Sequence, residues 1–270
     1  MEINRGNIFD IMFETGIRPD KDYGQNFLVE VDVCKRIVDA LNIDKNESVL
    51  EIGPGLGSLT HFLNEQTDNL TVVDIDDRMV DFLTPRYEKV NVVLDDIRKH
   101  DVSNYDKIIG NLPYNITTET IVYLLSNAVK VKKLVLMIQI DAFSHFYDID
   151  GKEYGPASIL LHLLGDSKKL FQVKPGCFHP VPKCVSVVFE ININPICELI
   201  EAKKVYSFAK NMFVNRRKTI SNNLNNYIKD KELTTSVLEE CHISLSTRPE
   251  NISPNQYLNL YRSYKKHLSK

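Results

Sequence analysis

Five short runs rich in β-branched residues, separated by stretches of helical spacing, set the strongest limit on how this chain can fold. The runs are SVLEIG at 48–53, LTVVDID at 70–76, NVVLDD at 91–96, YDKIIGNLPYN at 105–115 and KLVLMIQI at 133–140. Residues 58–66, 79–87 and 117–128 between them read as helices. Upstream, residues 31–42 place Val31, Cys34, Ile37, Val38 and Leu41 on one helical face. Strands alternating with helices imply parallel βαβ units with right-handed crossovers. A further strand is expected at CVSVVFEINI, 184–193. After Asn194 and Pro195 the character changes, and residues 205–227, 234–241 and 255–267 all read as helical. The expected fold is α/β, a Rossmann-like doubly wound sheet over residues 1–191 with a smaller all-helical C-terminal domain over 192–270.

A chain of 270 residues is long enough for both parts, and 43% hydrophobic with 26% charged residues is ordinary for a soluble protein. The opening residues, MEINRGNIFDIMFETG, lack the basic and apolar regions of a signal peptide. The longest apolar run, at 134–140, contains Gln139 and is too short to cross a bilayer. A cytoplasmic monomer is expected, with no membrane partner. The cysteines are Cys34, Cys177, Cys184, Cys197 and Cys241; their odd number and lack of CxxC spacing imply neither a disulfide framework nor a metal site. Net charge is −3, but it is unevenly spread. Residues 201–270 hold 13 Lys and Arg against 6 Asp and Glu, whereas residues 1–200 hold 20 against 30. A basic end on an acidic body suits contact between the C-terminal part and a polyanion.

The run VLEIGPGLG at 49–57 drives a strand into Gly53, Gly55 and Gly57. Glycines here let the backbone approach a ligand without a Cβ in the way, at the strand end where open α/β sheets bind ligands. Asp74, at the end of the next strand, stands where a ribose-binding carboxylate is expected. The spacing is GxGxG, and an acid, Glu51, lies inside the motif. A pyrophosphate would be repelled here, whereas a nucleoside carrying a positive sulfonium and amino-acid moiety would not. Asp96, at the end of the third strand, can accept a hydrogen bond from an adenine amine.

NLPYNI at 111–116 is the most specific signal. The amine of an aromatic base is a poor nucleophile because its lone pair is delocalised into the ring. Acceptors aimed at the two amine hydrogens favour a pyramidal nitrogen. Asn111 offers a side-chain carbonyl. Pro113 has no N–H and stiffens the loop, so the carbonyl of Leu112 can serve the second hydrogen. Tyr114 offers a ring on which a base can stack. The absence of Asp and Glu from the tetrapeptide argues against hydrolysis by paired carboxylates.

Together these residues resemble the small-subunit rRNA adenine dimethyltransferases, the KsgA family. The resemblance covers nearly the whole chain: GQNFL at 24–28, EIGPGLGSLT at 51–60, VDID at 73–76, DDI at 95–97, NLPYNI at 111–116, FHPVPKCVS at 178–186, NRRKTISNNL at 215–224 and RPENISPNQYLNLY at 248–261. It implies a methyltransferase sheet and S-adenosyl-L-methionine as cofactor. Asn26 and Leu28 would contact the cofactor from the N-terminal segment, Gly53 and Gly55 would line its amino-acid part, Asp74 would hold its ribose and Asp96 its adenine. Asn111 would lie where cofactor and target meet. Tyr114 and Phe178 would sandwich a flipped adenine. The C-terminal domain would dock small-subunit rRNA within the pre-small ribosomal subunit, with Arg216, Arg217 and Lys218 against phosphates. No metal is implied.

Two places depart from the family pattern. QIDAFSHF, with Ile140, stands where the family usually has QKE, and Cys184-Val185 replaces a more usual Val-Asp. Both touch the rim of the expected cleft and leave the cofactor motifs intact. The expected activity is dimethylation of two adjacent adenines near the 3′ end of small-subunit rRNA. The alternatives are a large-subunit rRNA methyltransferase of the antibiotic-resistance Erm type, a non-catalytic ribosome assembly factor and, more distantly, a nicotinamide-dependent dehydrogenase.

Overall fold

A computed structural model describes residues 1–113 and 116–268 of the chain. Contacts divide it into two compact units. Met1–Ala142 and Ser167–Ile193 form the first; Phe143–Asp166 joins the chain from Asn194 onward in the second.

In the first unit, α1 (Ile8–Thr15) and β1 (Phe27–Leu28) precede the main sheet. There follow α2 (Val31–Leu41), β2 (Ser48–Ile52), α3 (Thr60–Gln66), β3 (Asn69–Asp74), α4 (Asp77–Leu83), β4 (Asn91–Leu94), β5 (Lys107–Asn111), α5 (Thr117–Asn127) and β6 (Lys133–Gln139). After an excursion into the second unit come β7 (Gly165–Val173), β8 (Phe178–His179) and β9 (Ser186–Ile193). The described residues build a seven-stranded sheet in the order β4-β3-β2-β5-β6-β9-β7. Strands β2 to β6 are mutually parallel, and β9 runs antiparallel to β6, with Gln139 opposite Ser186. Central strands β2, β5 and β6 are buried along nearly their whole length. This is why they read as continuous apolar runs rather than alternating ones. On α2, the expected face is realised: Cys34, Ile37, Val38 and Leu41 are fully buried. The buried Lys107 at the start of β5 is compensated by Glu47 at 2.5 Å and by the Asn42 carbonyl.

The second unit is helical: most of α6 (Ile140–Tyr147), then α7 (Pro156–Leu164), α8 (Leu199–Met212), α9 (Ile220–Ile228), α10 (Lys231–Glu240) and α11 (Pro254–Leu268). It differs from a purely C-terminal domain beginning at 192, because residues 143–166 belong with it. The amide N–H groups of Asn194 and Ile196 donate to the carbonyls of Leu164 and Leu163. Tyr154 is fully buried, and its hydroxyl donates to Ile252 O at 2.8 Å. In α7, residues 158–161 and 163–164 are all buried, so PASILLHLL has no polar face whose period would mark it in the sequence.

Candidate active site

The order of the sheet reverses between β2 and β5, with β3 and β4 to one side and β6, β9 and β7 to the other. Open parallel sheets bind ligands at such a switch point, outside the carboxyl ends of the strands. A cleft of about 970 Å³, its open mouth included, lies there in the first unit. Its lining draws on the ends of β2, β3 and β5, on the loop after β4 and on the N-terminal segment at 23–28. Asn26, Leu28, Glu51, Gly53, Gly55, Asp74, Asp96, Asn111, Leu112 and Pro113 all line it, residues separated by up to 87 positions in sequence.

At the end of β2, Gly53 and Gly55 have φ of 64° and 55°, backbone conformations that glycine adopts without strain. A Cβ on Gly55 would stand 3.0 Å from the Phe27 ring. Asp74 is 9% exposed; its carboxylate accepts from the Gly55 N–H at 3.3 Å and the Asp76 N–H at 3.0 Å. Burial pushes the Asp74 carboxyl up to about 6. Glu51 is 1% exposed and accepts from the Thr60 hydroxyl at 2.6 Å. Burial, opposed by the Thr60 hydrogen bond and reinforced by the charge of Asp74, pushes it up to about 8. Burial thus favours the protonated form of Glu51, where the motif by itself reads as a charged acid. Thr60, its partner, is not legible as such in the sequence. The glycine turn lies beside the Asp74 carboxylate, and negative charge there fits a positively charged nucleoside and disfavours a pyrophosphate.

Asp96 is clamped by a neighbour that the sequence does not single out. The Arg98 guanidinium donates to it from Nε at 3.0 Å and Nη2 at 2.7 Å, and reaches Glu119 at 3.0 Å. These bonds hold the Asp96 carboxyl below its usual range. The carboxylate is thus charged and fixed in orientation. Beside it Ile75, 49% exposed, and Ile97 also line the cleft and offer apolar surface to a flat ring.

Across the cleft, Asn111 ends β5. Its Nδ2 donates to the carbonyl of Asn26 at 3.3 Å, which leaves Oδ1 as the acceptor of that amide. The Asn26 side chain turns back, donating to Gly24 O at 3.0 Å. Leu112 is buried and pinned by its N–H to Met137 O at 3.0 Å. The Pro113 carbonyl accepts from the Thr117 hydroxyl at 3.0 Å at the entry to α5. Tyr114 lies outside the described residues. Leu28 is buried; its carbonyl accepts from Ser58, and its Cα partner across the β1–β8 pair is Phe178. That pairing brings the distant FHPVPKCVS segment to the cleft's N-terminal wall. The Phe178 ring itself is 2% exposed and packed in the core, so it does not line the cleft. The departures at Ile140 and Val185 are neighbours: the Ile140 N–H donates to Val185 O at 3.1 Å.

In the second unit, the turn before α9 carries the three expected phosphate ligands. Arg217 and Lys218 are exposed. Arg216 is half-buried, and its Nη2 donates to the carbonyls of Gly151 at 2.8 Å and Tyr154 at 2.7 Å. It thus has a structural task that its sequence neighbours do not share. No group of His, Cys, Asp and Glu arranged to hold a metal occurs among the described residues, and no described helix is long and apolar enough to cross a membrane.

The family described as ribosomal RNA adenine dimethylase matches residues 17–266. The ribosomal RNA small subunit methyltransferase A of Malacoplasma penetrans (strain HF-2) is 37% identical over 243 residues, 88% of this chain and 89% of that protein. Among solved structures, a dimethyladenosine transferase from Plasmodium falciparum has a TM-score of 0.76 at 24% identity, over 89% of this chain and 98% of that one. The 23S rRNA methyltransferase ErmE has a TM-score of 0.69 at 20% identity, over 89% of this chain and all of its own, so these two likenesses speak to the fold. With 37% identity across nearly the full length of both proteins, and the family match spanning both units, the chain belongs to the ribosomal RNA adenine dimethylase family.

Proposed function

We propose that this protein transfers methyl groups from S-adenosyl-L-methionine to the N6 amines of two adjacent adenines in small-subunit rRNA, and that it does so in the cleft at the switch point. The observation that carries the reading is the tie between Asn111 Nδ2 and the Asn26 carbonyl, which fixes the orientation of the Asn111 amide in the cleft with its oxygen as the acceptor. The relative named small subunit methyltransferase A supports the choice of subunit.

When bound, S-adenosyl-L-methionine supplies a methyl group made electrophilic by a positive sulfur. Gly53, Gly55 and Glu51 hold the side of the cleft that takes its amino-acid part. Asp74 accepts from the ribose hydroxyls, and Asp96 from the adenine amine between Ile75 and Ile97. On the target side, Asn111 Oδ1 and the Leu112 carbonyl accept the two amine hydrogens, directing the nitrogen lone pair toward the methyl carbon. Tyr114 supplies a ring face to the flipped base, a stacking worth about 1–3 kcal/mol. Phe178 backs this side from the core; stacking on the base requires its ring to move outward. The amine proton leaves to water. Arg217 and Lys218 meet phosphates, Arg216 sharing its remaining N–H groups. The enzyme works as a cytoplasmic monomer on the pre-small ribosomal subunit during ribosome biogenesis.

A pH dependence follows from Asp74. Ribose hydroxyls donate to its ionised form, whereas the empty cleft favours the protonated form up to about pH 6. Cofactor affinity is therefore expected to rise as pH passes upward through about 6, a trend that titration calorimetry at several pH values would reveal. A flat profile would place the ribose elsewhere.

The substrate is tested by transfer of labelled methyl groups to under-methylated small subunits, with mature large subunits and free RNA as controls, and by mass analysis of the nucleosides. The expected product is N6,N6-dimethyladenosine in small subunits alone. Label confined to large subunits would point to the Erm type, and absence of label despite cofactor binding to an assembly factor.

A further inference from the structure

The N-terminal wall of the cleft is a strap without helix or sheet structure between Gly16 and Asn26. Two side chains tie it across to the opposite wall: Arg78, whose Nη1 donates to the Arg18 carbonyl at 3.4 Å, and, more tightly, Gln25. Its Oε1 accepts from the Asp20 N–H at 2.9 Å, closing the strap on itself. Its Nε2 donates to Asp76 Oδ2 at 2.7 Å. Asp76 is 1% exposed and caps the start of α4. It is held by Arg78 through Nε at 2.8 Å and Nη2 at 2.5 Å, and Arg78 in turn lies 3.8 Å from Asp20. Burial alone would raise the Asp76 carboxyl, but the hydrogen bonds from Arg78 and Gln25 outweigh it and hold the group below its usual range. A short bond to a fixed, charged acceptor is among the stronger side-chain hydrogen bonds.

What Asp76 does next gives this bond its consequence. Its N–H donates to Asp74 Oδ1, the carboxylate assigned to the ribose. At the other end of the strap, the Asn26 carbonyl receives Asn111. Two hydrogen bonds thus join Asp74 through Asp76 to Gln25, and the neighbouring residue, Asn26, receives Asn111. Tyr23, Gly24, Gln25 and Asn26 line the cleft, so a bound nucleoside lies between the strap and the strand ends.

We infer that Gln25 is a positioning residue: its amide latches the strap to Asp76 over the occupied cleft, and the cofactor leaves only when that latch opens. The inference rests on reading the cleft as the cofactor site. The Asp20 carboxylate cannot take over this bond, since it and Asp76 repel each other; Asp20 reaches Asp76 only by way of Arg78, which also donates to the Arg18 carbonyl at 3.4 Å and so ties the strap at a second point.

The test compares S-adenosylhomocysteine binding to the wild-type chain, Gln25→Ala, Gln25→Glu and the double variant Gln25→Glu/Asp76→Asn. The readouts are stopped-flow dissociation rates and hydrogen exchange of residues 18–28. Gln25→Ala is expected to speed dissociation about tenfold, the scale of one hydrogen bond to a charged group, and to abolish the ligand-dependent protection of the strap. The melting temperature of the ligand-free protein should fall by a few degrees at most, since Arg78 still pairs with Asp76. Gln25→Glu, of equal length, sets one carboxylate against another and should dissociate faster still. The double variant restores a donor–acceptor pair with reversed polarity and should recover most of the lost residence time, which a purely structural defect would not. Wild-type dissociation rates in Gln25→Ala, or no recovery in the double variant, would overturn the latch while leaving the cofactor site standing. Failure of the wild-type chain itself to bind S-adenosylhomocysteine would overturn the reading of the cleft, and the latch with it.

Discussion

Asn111→Ala is expected to slow methyl transfer by about 10- to 100-fold, the cost of losing one preorganised partner of the reacting group, with a smaller loss of cofactor affinity from release of the Asn26 carbonyl. The side chain sits at the end of β5, and its Nδ2 is engaged by the Asn26 carbonyl. Its oxygen is therefore committed before any substrate arrives, and a preoriented acceptor costs no reorganisation during the reaction. Alanine removes the acceptor and releases the Asn26 carbonyl together. Single-turnover transfer to small subunits, with cofactor bound in excess, isolates the chemical step. An unchanged rate would remove Asn111 from the mechanism. Asn111→Asp separates the two losses, since it keeps an acceptor for the amine but cannot donate to Asn26; a rate between those of the wild type and Asn111→Ala is expected.

Asp74→Asn is expected to weaken cofactor binding at least about tenfold at neutral pH, because the ribose hydroxyls lose a charged acceptor. Its effect on the empty protein should run the other way. Burial raises the Asp74 carboxyl from its ordinary 3.8 to about 6. A raised acid contributes stability that is fully present below the unfolded value and is lost as pH rises through the folded one. Above about pH 6 the empty fold therefore carries an unfavourable buried charge. Asparagine has the same shape and keeps an acceptor for Gly55 or Asp76, without that charge. The ligand-free variant should melt at or above the wild-type temperature at pH 8, while the cofactor-induced rise in melting temperature shrinks. Wild-type affinity in Asp74→Asn would dismiss the ribose assignment. A large loss of stability at pH 8 would mean that the ionised carboxylate holds the turn together.

The latch residue Gln25 and the Asn26 carbonyl that receives Asn111 share one strap, which makes the order of events testable in a second way. If strap closure fixes Asn111, loss of Gln25 should also lower the transfer rate at saturating cofactor, by less than loss of Asn111 itself. The physical reason is that Gln25 acts on Asn111 only through the intervening Asn26 carbonyl.

Much of the fold and the cleft was legible in the residues alone. Buried central strands need apolar side chains on both faces, so β2, β5 and β6 announce themselves as unbroken runs. A turn with positive φ needs glycine, so Gly53 and Gly55 mark the ligand-binding end of β2. Groups at strand ends keep sequence order, which is why Asp74, Asp96 and Asn111 fall at successive strand termini. The remainder depends on approach between distant segments. The β1–β8 pair joins residues 27–28 to 178–179 and is too short to show any period. Arg98 at Asp96, Thr60 at Glu51 and Gln25 at Asp76 are side-chain meetings with no local signature. Arg216 reads like its basic neighbours until the carbonyls of Gly151 and Tyr154 claim it. The assignment of residues 143–166 to the helical unit likewise rests on which surfaces they bury, since α7 is apolar all round. Periodicity and glycine, which act within a few residues, determined the strands, the turn and the acids at their ends. Only tertiary packing, which decides which buried charges find partners, settled how Glu51, Asp74, Asp76 and Asp96 are protonated and held.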